Sequence, residues 1–107
     1  MAETPCILGQ AFPSAGDEID LFIVGSGNQV QCSIFVANHS PGIERITISL
    51  IPFGTVTGPY NYIALNTPLT ANACIAFAGI FLNSGDVVRV RSDTGSVSFS
   101  ATGMLMQ

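Results

Sequence analysis

The sequence predicts an all-β fold: one antiparallel β-sandwich, jelly-roll-like, with about seven or eight short strands in a single domain, residues 1–107. In the clearest segments apolar residues alternate with polar ones, which is typical of strands that bury one face. Clusters of glycine, proline, asparagine and serine separate these segments at short intervals. Many short alternating segments without a convincing helix indicate two packed sheets.

Three strands are predicted in the first half of the chain. They span residues 19–24, 29–38 and 45–53, and turn-forming clusters at 13–18, 25–28 and 39–42 separate them. Within 29–38, Val30, Cys32, Ile34 and Val36 fall on one face, opposite glutamine and serine. Residues 1–11 are interpreted as either a first strand or an arm that reaches a neighbouring chain.

Four more strands are predicted in the second half. They span residues 60–65, 72–82, 87–91 and 96–106. The loop at 54–59 precedes the first of them, and the Asn-Thr-Pro segment at 66–68 is expected to end it. The apolar spacing of residues 70–82 also fits a short helix, but Gly79 in the middle favours a strand.

The charge content excludes one class of partner. Charged residues make up 9% of the chain, against about 25% in an ordinary soluble domain. The basic residues are Arg45, Arg89 and Arg91, there is no lysine, and the net charge is −4. A nucleic-acid-binding surface needs a basic stripe to displace counterions from phosphates. We therefore expect no nucleic-acid partner.

The high apolar content raises the question of a membrane, because the mean hydropathy is +0.51. The longest purely apolar run, residues 73–82, has half of the roughly 20 residues that a membrane-spanning helix needs. The first residues lack the basic and apolar regions of a signal peptide. We expect no membrane partner and synthesis in a cytosol, with the apolar surface buried in an assembly.

The residues that carry catalytic or metal chemistry are few and scattered. Cys6, Cys32 and Cys74 have neither the spacing of a metal site nor that of a disulfide framework, and are expected to be small buried hydrophobic residues. The single histidine, His39, lies in a predicted turn without the other members of a triad. The sequence therefore predicts no enzyme, metal site or cofactor.

Some apolar side chains fall on faces that alternation assigns to polar residues, and packing two sheets buries only their inner faces. Either the same chain covers them or a partner does. Arg89 and Arg91 share an outward face and are expected either to be solvated or to pair with acids of a neighbouring chain. The candidate interaction residues are Phe22, Phe35, Ile51, Phe53, Arg89, Arg91, Met104 and Met106.

Edge strands give a second reason to expect association. Isolated β-proteins usually protect their edges with lysine, proline or inward charges, and charges are scarce in this chain. We therefore expect the edges to be closed by its own loops or by a neighbour, with a homo-oligomer, dimer or trimer, as the predicted state.

One pattern of strands and turns extends over nearly the whole chain. It comprises residues 7–10, 19–24, 33–40, 48–54, 60–62, 67–72, 79–82, 85–90 and 97–103. In this pattern the chain resembles a family of small structural proteins of tailed bacteriophages, and it departs from that family at residues 21–25.

The resemblance implies a virion component without catalytic residues, made in the host cytoplasm. We expect a capsid decoration (cement) protein that packs on major capsid subunits. One alternative is a neck, baseplate or tail-fibre adaptor of the same kind of particle. A carbohydrate-binding, lectin-like module is the alternative from another class, and Tyr60 and Tyr62 are its only plausible sugar platform in a chain without tryptophan.

Overall fold

The structure, a computed structural model, describes residues 3–55 and 58–106. These residues form eight strands and one 3-10 turn, Pro59–Asn61. The strands are β1 Glu3–Ala11, β2 Ile19–Ile23, β3 Gln29–Asn38, β4 Glu44–Ile51, β5 Tyr62–Leu69, β6 Cys74–Leu82, β7 Val87–Ser92 and β8 Val97–Met106. No helix in this described part has the length and apolar character needed to cross a membrane.

The strands form two four-stranded antiparallel sheets. Sheet A has the order β1-β8-β3-β6, and sheet B has the order β2-β7-β4-β5. Apart from β4 and β5, consecutive strands alternate between the sheets, which is the arrangement of a jelly roll. The all-β sandwich that the alternating pattern predicts is confirmed.

The core lies between the sheets and is built from the alternate residues that the sequence pattern selects. In β3, Val30, Ile34 and Val36 are almost completely buried, and the inward residues of β4, β7 and β8 meet them. Phe99 of β8 is the largest fully buried side chain. Burying a side chain of this size stabilises the fold by roughly 1.5–3 kcal/mol.

The sequence left two interpretations open for each of two stretches, residues 1–11 and residues 70–82. Residues 3–11 form a first strand, β1, which pairs with β8. Met1 and Ala2 lie outside the described residues. The helical alternative for residues 70–82 is wrong, because β6 pairs with β3 from Cys74 to Leu82.

The prediction for β5 was wrong at both ends. The strand begins at Tyr62, after the 3-10 turn, and continues through Asn66 and Pro68 to Leu69. Asn66 adopts a positive φ of 47° where the ladder with β4 shifts register. Proline is tolerated there because β5 is an edge strand of sheet B, and its outer side has no ladder partner to lose.

The two sheets approach each other closely along one lateral side of the sandwich and are separated along the other. On one side β1 approaches β2 so closely that a Cβ at Gly9 would lie 2.3 Å from the carbonyl oxygen of Leu21. On the other side a groove of about 670 Å³ separates β6 of sheet A from Leu50 and Ile63 of sheet B. The sandwich is therefore closed along β1 and β2 and open along β5 and β6.

Asn38 joins the two sheets at the loop end of β3. Its Nδ2 donates to the backbone oxygens of Gly42, Leu69 and Thr70, each at 3.0 Å. Its Oδ1 accepts a hydrogen bond from the Ser40 amide at 2.8 Å. Since Asn38 is buried, these bonds satisfy polar atoms that have little access to water.

Asn38→Ala is expected to lower the free energy of unfolding by about 1–3 kcal/mol, because it leaves buried carbonyl groups without a donor. Ser49→Ala is the matched control, since Ser49 is also a buried polar strand residue but its Oγ has no hydrogen-bond partner among the described residues. This control should leave stability unchanged or raise it. Urea denaturation measures both, and equal losses would contradict the role assigned to Asn38.

Candidate interaction surface

The outward side chains of sheet A form a continuous surface, here called the neutral face. The strand registers place them in rows across all four strands; one row runs Gln10, Ser100, Phe35, Ala76. The neutral face consists of Glu3, Pro5, Ile7 and Gln10 of β1, Ser98, Ser100, Thr102, Met104 and Met106 of β8, Gln29, Gln31, Ser33, Phe35 and Ala37 of β3, and Cys74, Ala76 and Phe81 of β6.

The neutral face is unusual because, among the described residues, its only ionised side chain is Glu3, which lies opposite Met106 at one corner. Strands β3, β6 and β8 contain no aspartate, glutamate, lysine or arginine at all, and the only acid of β1, Glu3, lies at the end of that strand. The other polar groups of this face are serine, threonine and glutamine. Apart from the corner at Glu3, such a surface can be dehydrated without separating a charge from water.

Apolar groups are distributed over this face. Ile7 is 63% exposed, Phe81 69% and Phe35 48%. Beside Phe35 there is a shallow hollow of about 400 Å³, lined on its apolar side by Ala37, Cys74 and Ala76 and on its polar side by serines of β8. A partner could therefore bury aromatic and aliphatic surface here and also find hydroxyl groups to bind.

The outer face of sheet B, in contrast, is charged, because the three arginines of the chain lie on β4 and β7. Arg89 Nε lies 2.8 Å from Asp20 Oδ1. Arg91 Nη1 lies 3.5 Å from Asp93 Oδ1, and its Nε donates to the Gly16 carbonyl at 3.1 Å. Both arginines therefore engage acids of their own chain.

Two of the sequence-derived candidates, Phe22 and Ile51, lie in the interior, and we remove them from the contact surface. The ladder between β2 and β7 shifts register at Leu21, so that Leu21 and Phe22 are both buried and Ile23 turns outward. Ile51 pairs with Val87 at the end of β4, and the same chain covers it. For these two residues the intrachain alternative holds.

The remaining candidates lie in three places. Phe35, Met104 and Met106 point outward from sheet A. Arg89 and Arg91 lie on the opposite sheet, as described above. Phe53 is exposed in the loop after β4, where its amide donates to Asp86 Oδ1 at 3.0 Å and its ring lies against Gly85.

Sequence reasoning missed Ile7 and Phe81, the two most exposed apolar side chains of the neutral face. In β6 every residue is apolar or glycine, so no polar alternation indicates which side chains point outward. In β1 the register shifts between Ile7 and Gly9, which breaks the alternation near Ile7. Only the pairing with β3 and β8 reveals these orientations.

Among the residues that the structure describes, the groups with catalytic potential do not form a recognisable centre. His39 Nε2 lies 2.9 Å from Ser98 Oγ, but the side chain that packs against the imidazole is Phe12, with ring centroids 5.9 Å apart. A nucleophilic serine requires a base that a third polar group orients. Within residues 3–55 and 58–106, no group of three histidine, cysteine or acidic side chains could hold a metal ion.

The three cysteines are free and differ in exposure. Cys32 is buried in the core, and this desolvation raises the pKa of its thiol to about 11. Cys74 is exposed at the start of β6 and Cys6 is half-buried. The expectation of three buried cysteines is therefore correct for Cys32 and wrong for Cys74, which lies on the outer side of an edge strand.

Comparisons with known proteins show the fold. No family model matches the chain, and no curated protein matches it in sequence. A chain in the structure of infectious bursal disease virus, Gx strain, is similar with a TM-score of 0.52 and 18% identity, over 97% of this chain and 31% of that chain. This chain therefore spans about a third of the length of that viral chain.

A second similar structure is much closer in size. A chain in the capsid of Ralstonia phage GP4 is similar with a TM-score of 0.52 and 16% identity. The similarity covers 99% of this chain and 84% of that chain. At these identities the two comparisons establish a shared β-sandwich fold.

A thiol-labelling experiment can check the exposures of the cysteines. At pH 8 an alkylating reagent is expected to modify Cys74 rapidly in the folded protein, whereas Cys32 reacts only after denaturation, because it is buried and remains protonated. Peptide mass spectrometry measures both rates. A Cys74→Ser variant should lose the rapid phase, and modification of Cys32 at the rate of Cys74 would contradict the packing of β3.

Proposed function

We propose that this chain is a non-enzymatic structural protein of a tailed-phage virion, a capsid decoration (cement) protein that binds the outside of the shell through the neutral face. The observation that carries this proposal is the scarcity of charge on the outward surface of a whole four-stranded sheet, where Glu3 at the end of β1 is the only ionised side chain among the described residues. Monomeric proteins rarely expose a large surface with apolar groups, and such a surface usually contacts a partner.

The similarity to known structures supports a virion role. Both similar chains belong to virus structures, and one is part of a phage capsid. The phage chain is only slightly longer than this one, as its 84% coverage indicates. The whole jelly roll therefore corresponds to most of that capsid-associated chain.

The size of the neutral face suits a specific interface. Four strands spaced by about 4.8 Å, each with about eight residues at about 3.3 Å, cover roughly 500 Å² of flat area. The protruding side chains add accessible surface to this flat area. The face therefore approaches the roughly 800 Å² that each partner contributes to a standard interface. Apolar burial there stabilises the complex by about 25 cal/mol per Å².

The distribution of charge favours one orientation on the shell. The net charge of −4 suits a position outside the capsid, away from packaged DNA, since like charges repel. The ion pairs Arg89–Asp20 and Arg91–Asp93 would then face solvent. In this arrangement the neutral face contacts major capsid subunits, and its single acid, Glu3, lies at the end of β1, at the rim of the contact rather than at its centre.

Binding to undecorated shells of the particle that carries this protein tests the proposal. Phe35→Glu places a charge in the centre of the neutral face and is expected to weaken binding by about tenfold or more, or at least 1.4 kcal/mol. Phe53→Glu is the matched control, because it changes another exposed phenylalanine outside this face and should leave binding nearly unchanged. Co-sedimentation with shells measures both.

Three results would overturn the proposal. Binding of the wild-type protein to tail ends but not to shells would indicate a neck, baseplate or tail-fibre adaptor. Specific binding on a glycan array would indicate a carbohydrate-binding module, for which the structure offers a half-buried Tyr62, while the side chain of Tyr60 lies outside the described ones. Loss of shell binding in Phe53→Glu but not in Phe35→Glu would place the contact elsewhere.

A further inference from the structure

The four edge strands of the sandwich differ in how they are protected. The edges β1 and β2 lie against each other, as the close approach of Gly9 to Leu21 shows. The edge β5 contains Pro68 and the positive-φ residue Asn66, both of which discourage addition of another strand. These three edges therefore have structural protection.

The fourth edge, β6, lacks proline and charge. Its nine residues, Cys74–Leu82, are all apolar or glycine. It is the last strand of sheet A and pairs only with β3 among the described strands. A long apolar edge without a lysine or a proline is a template for another strand. The open groove of about 670 Å³, which includes Phe77 and Ile80, lies along the same edge.

A bulge divides β6 into two halves. Ile34 pairs with Phe77 and Cys32 pairs with Ile80, so Ala78 and Gly79 together oppose one residue of β3. Gly79 has a φ of 76°, which suits glycine at such a bulge. The extra residue shifts the alternation, so that Ile75, Phe77, Ile80 and Leu82 lie on the core side of the strand and Cys74, Ala76 and Phe81 lie on the neutral face.

We propose that two copies of this chain pair edge to edge through β6, antiparallel, about a two-fold axis between Ala78 and Gly79. In this register Ile75 lies opposite Leu82 of the partner copy, and Phe77 opposite its Ile80. On the outer side Ala76 lies opposite Phe81. The pairing produces one continuous eight-stranded sheet, and the two neutral faces form one surface.

The bulge determines the register in which β6 matches itself, and this self-match is the reason to choose a second copy as the occupant. A strand without a bulge has side-chain period two, so in this register core-side residues would meet outward ones. With one extra residue at the centre, each core-side residue meets a core-side residue and each outward residue meets an outward one. No charged residue lies in the strand, so no like charges oppose each other across the axis. The edge is therefore complementary to itself.

This inference goes beyond the proposed function and does not require it, because it concerns the free protein. Analytical ultracentrifugation should give a mass twice the 11.2 kDa of the chain. Ala76→Lys places a lysine beside Phe81 of the partner copy and should yield a monomer. Thr102→Lys is the control: it adds the same charge to the same face, but on β8, two strands from the edge, and should remain a dimer.

A cross-link tests the register itself. In the proposed pairing Asn83 lies opposite Cys74 of the partner copy, so Asn83→Cys in a Cys6→Ser background should form a disulfide-linked dimer on oxidation. Ser84→Cys in the same background points to the other side and should not. A trimer, a wild-type monomer at micromolar concentration, or cross-linking by Ser84→Cys alone would overturn the inference, and shell binding by the wild-type protein and by Phe35→Glu would still report on the neutral face separately.

Discussion

The fold depends on one constraint: every strand must bury one row of side chains in a core that both sheets share. In β3 this row is Val30, Cys32, Ile34 and Val36, and the strand has no freedom to shift by one residue without turning that row to solvent. The identity of the outer row then follows from the sequence. Sheet A consequently presents a neutral surface because β3, β6 and β8 contain no charged residue, and sheet B carries the arginines.

Bulges modify that constraint, and they explain where sequence reasoning succeeded and where it did not. The regular strands β3 and β8 were predicted nearly to the residue, since strict alternation has one physical solution. Phe22 was placed on the wrong side because the extra residue Leu21 shifts the phase of β2. In β6 the bulge lies within an all-apolar segment, where no polar residue marks the phase. A bulge has no composition signal that distinguishes it from regular strand, apart from a glycine such as Gly79.

For the candidate surface too, the sequence predicts some features and only the structure shows the others. Phe35, Met104 and Met106 could be predicted to point outward because they interrupt or continue rows of glutamine, serine and threonine. Assembling them with Ile7 and Phe81 into one face required knowing that β1 pairs with β8 and β6 with β3. These pairings join strands that are far apart in the chain, and a local pattern contains no information about them. The same holds for Asn38, whose buried contacts lie about thirty residues away.

The neutral face and the β6 edge belong to the same sheet, which has a consequence for assembly. A single neutral face is somewhat smaller than a standard protein interface, and a jelly roll held on a shell by that face alone would bind with modest affinity. Pairing through β6 would place two such faces in one plane, so that the second face binds at a high effective concentration once the first is bound. Association through the edge would thus strengthen contact through the face. The low charge of sheet A serves both interfaces, because neither a strand ladder nor a dehydrated surface tolerates an unpaired ion.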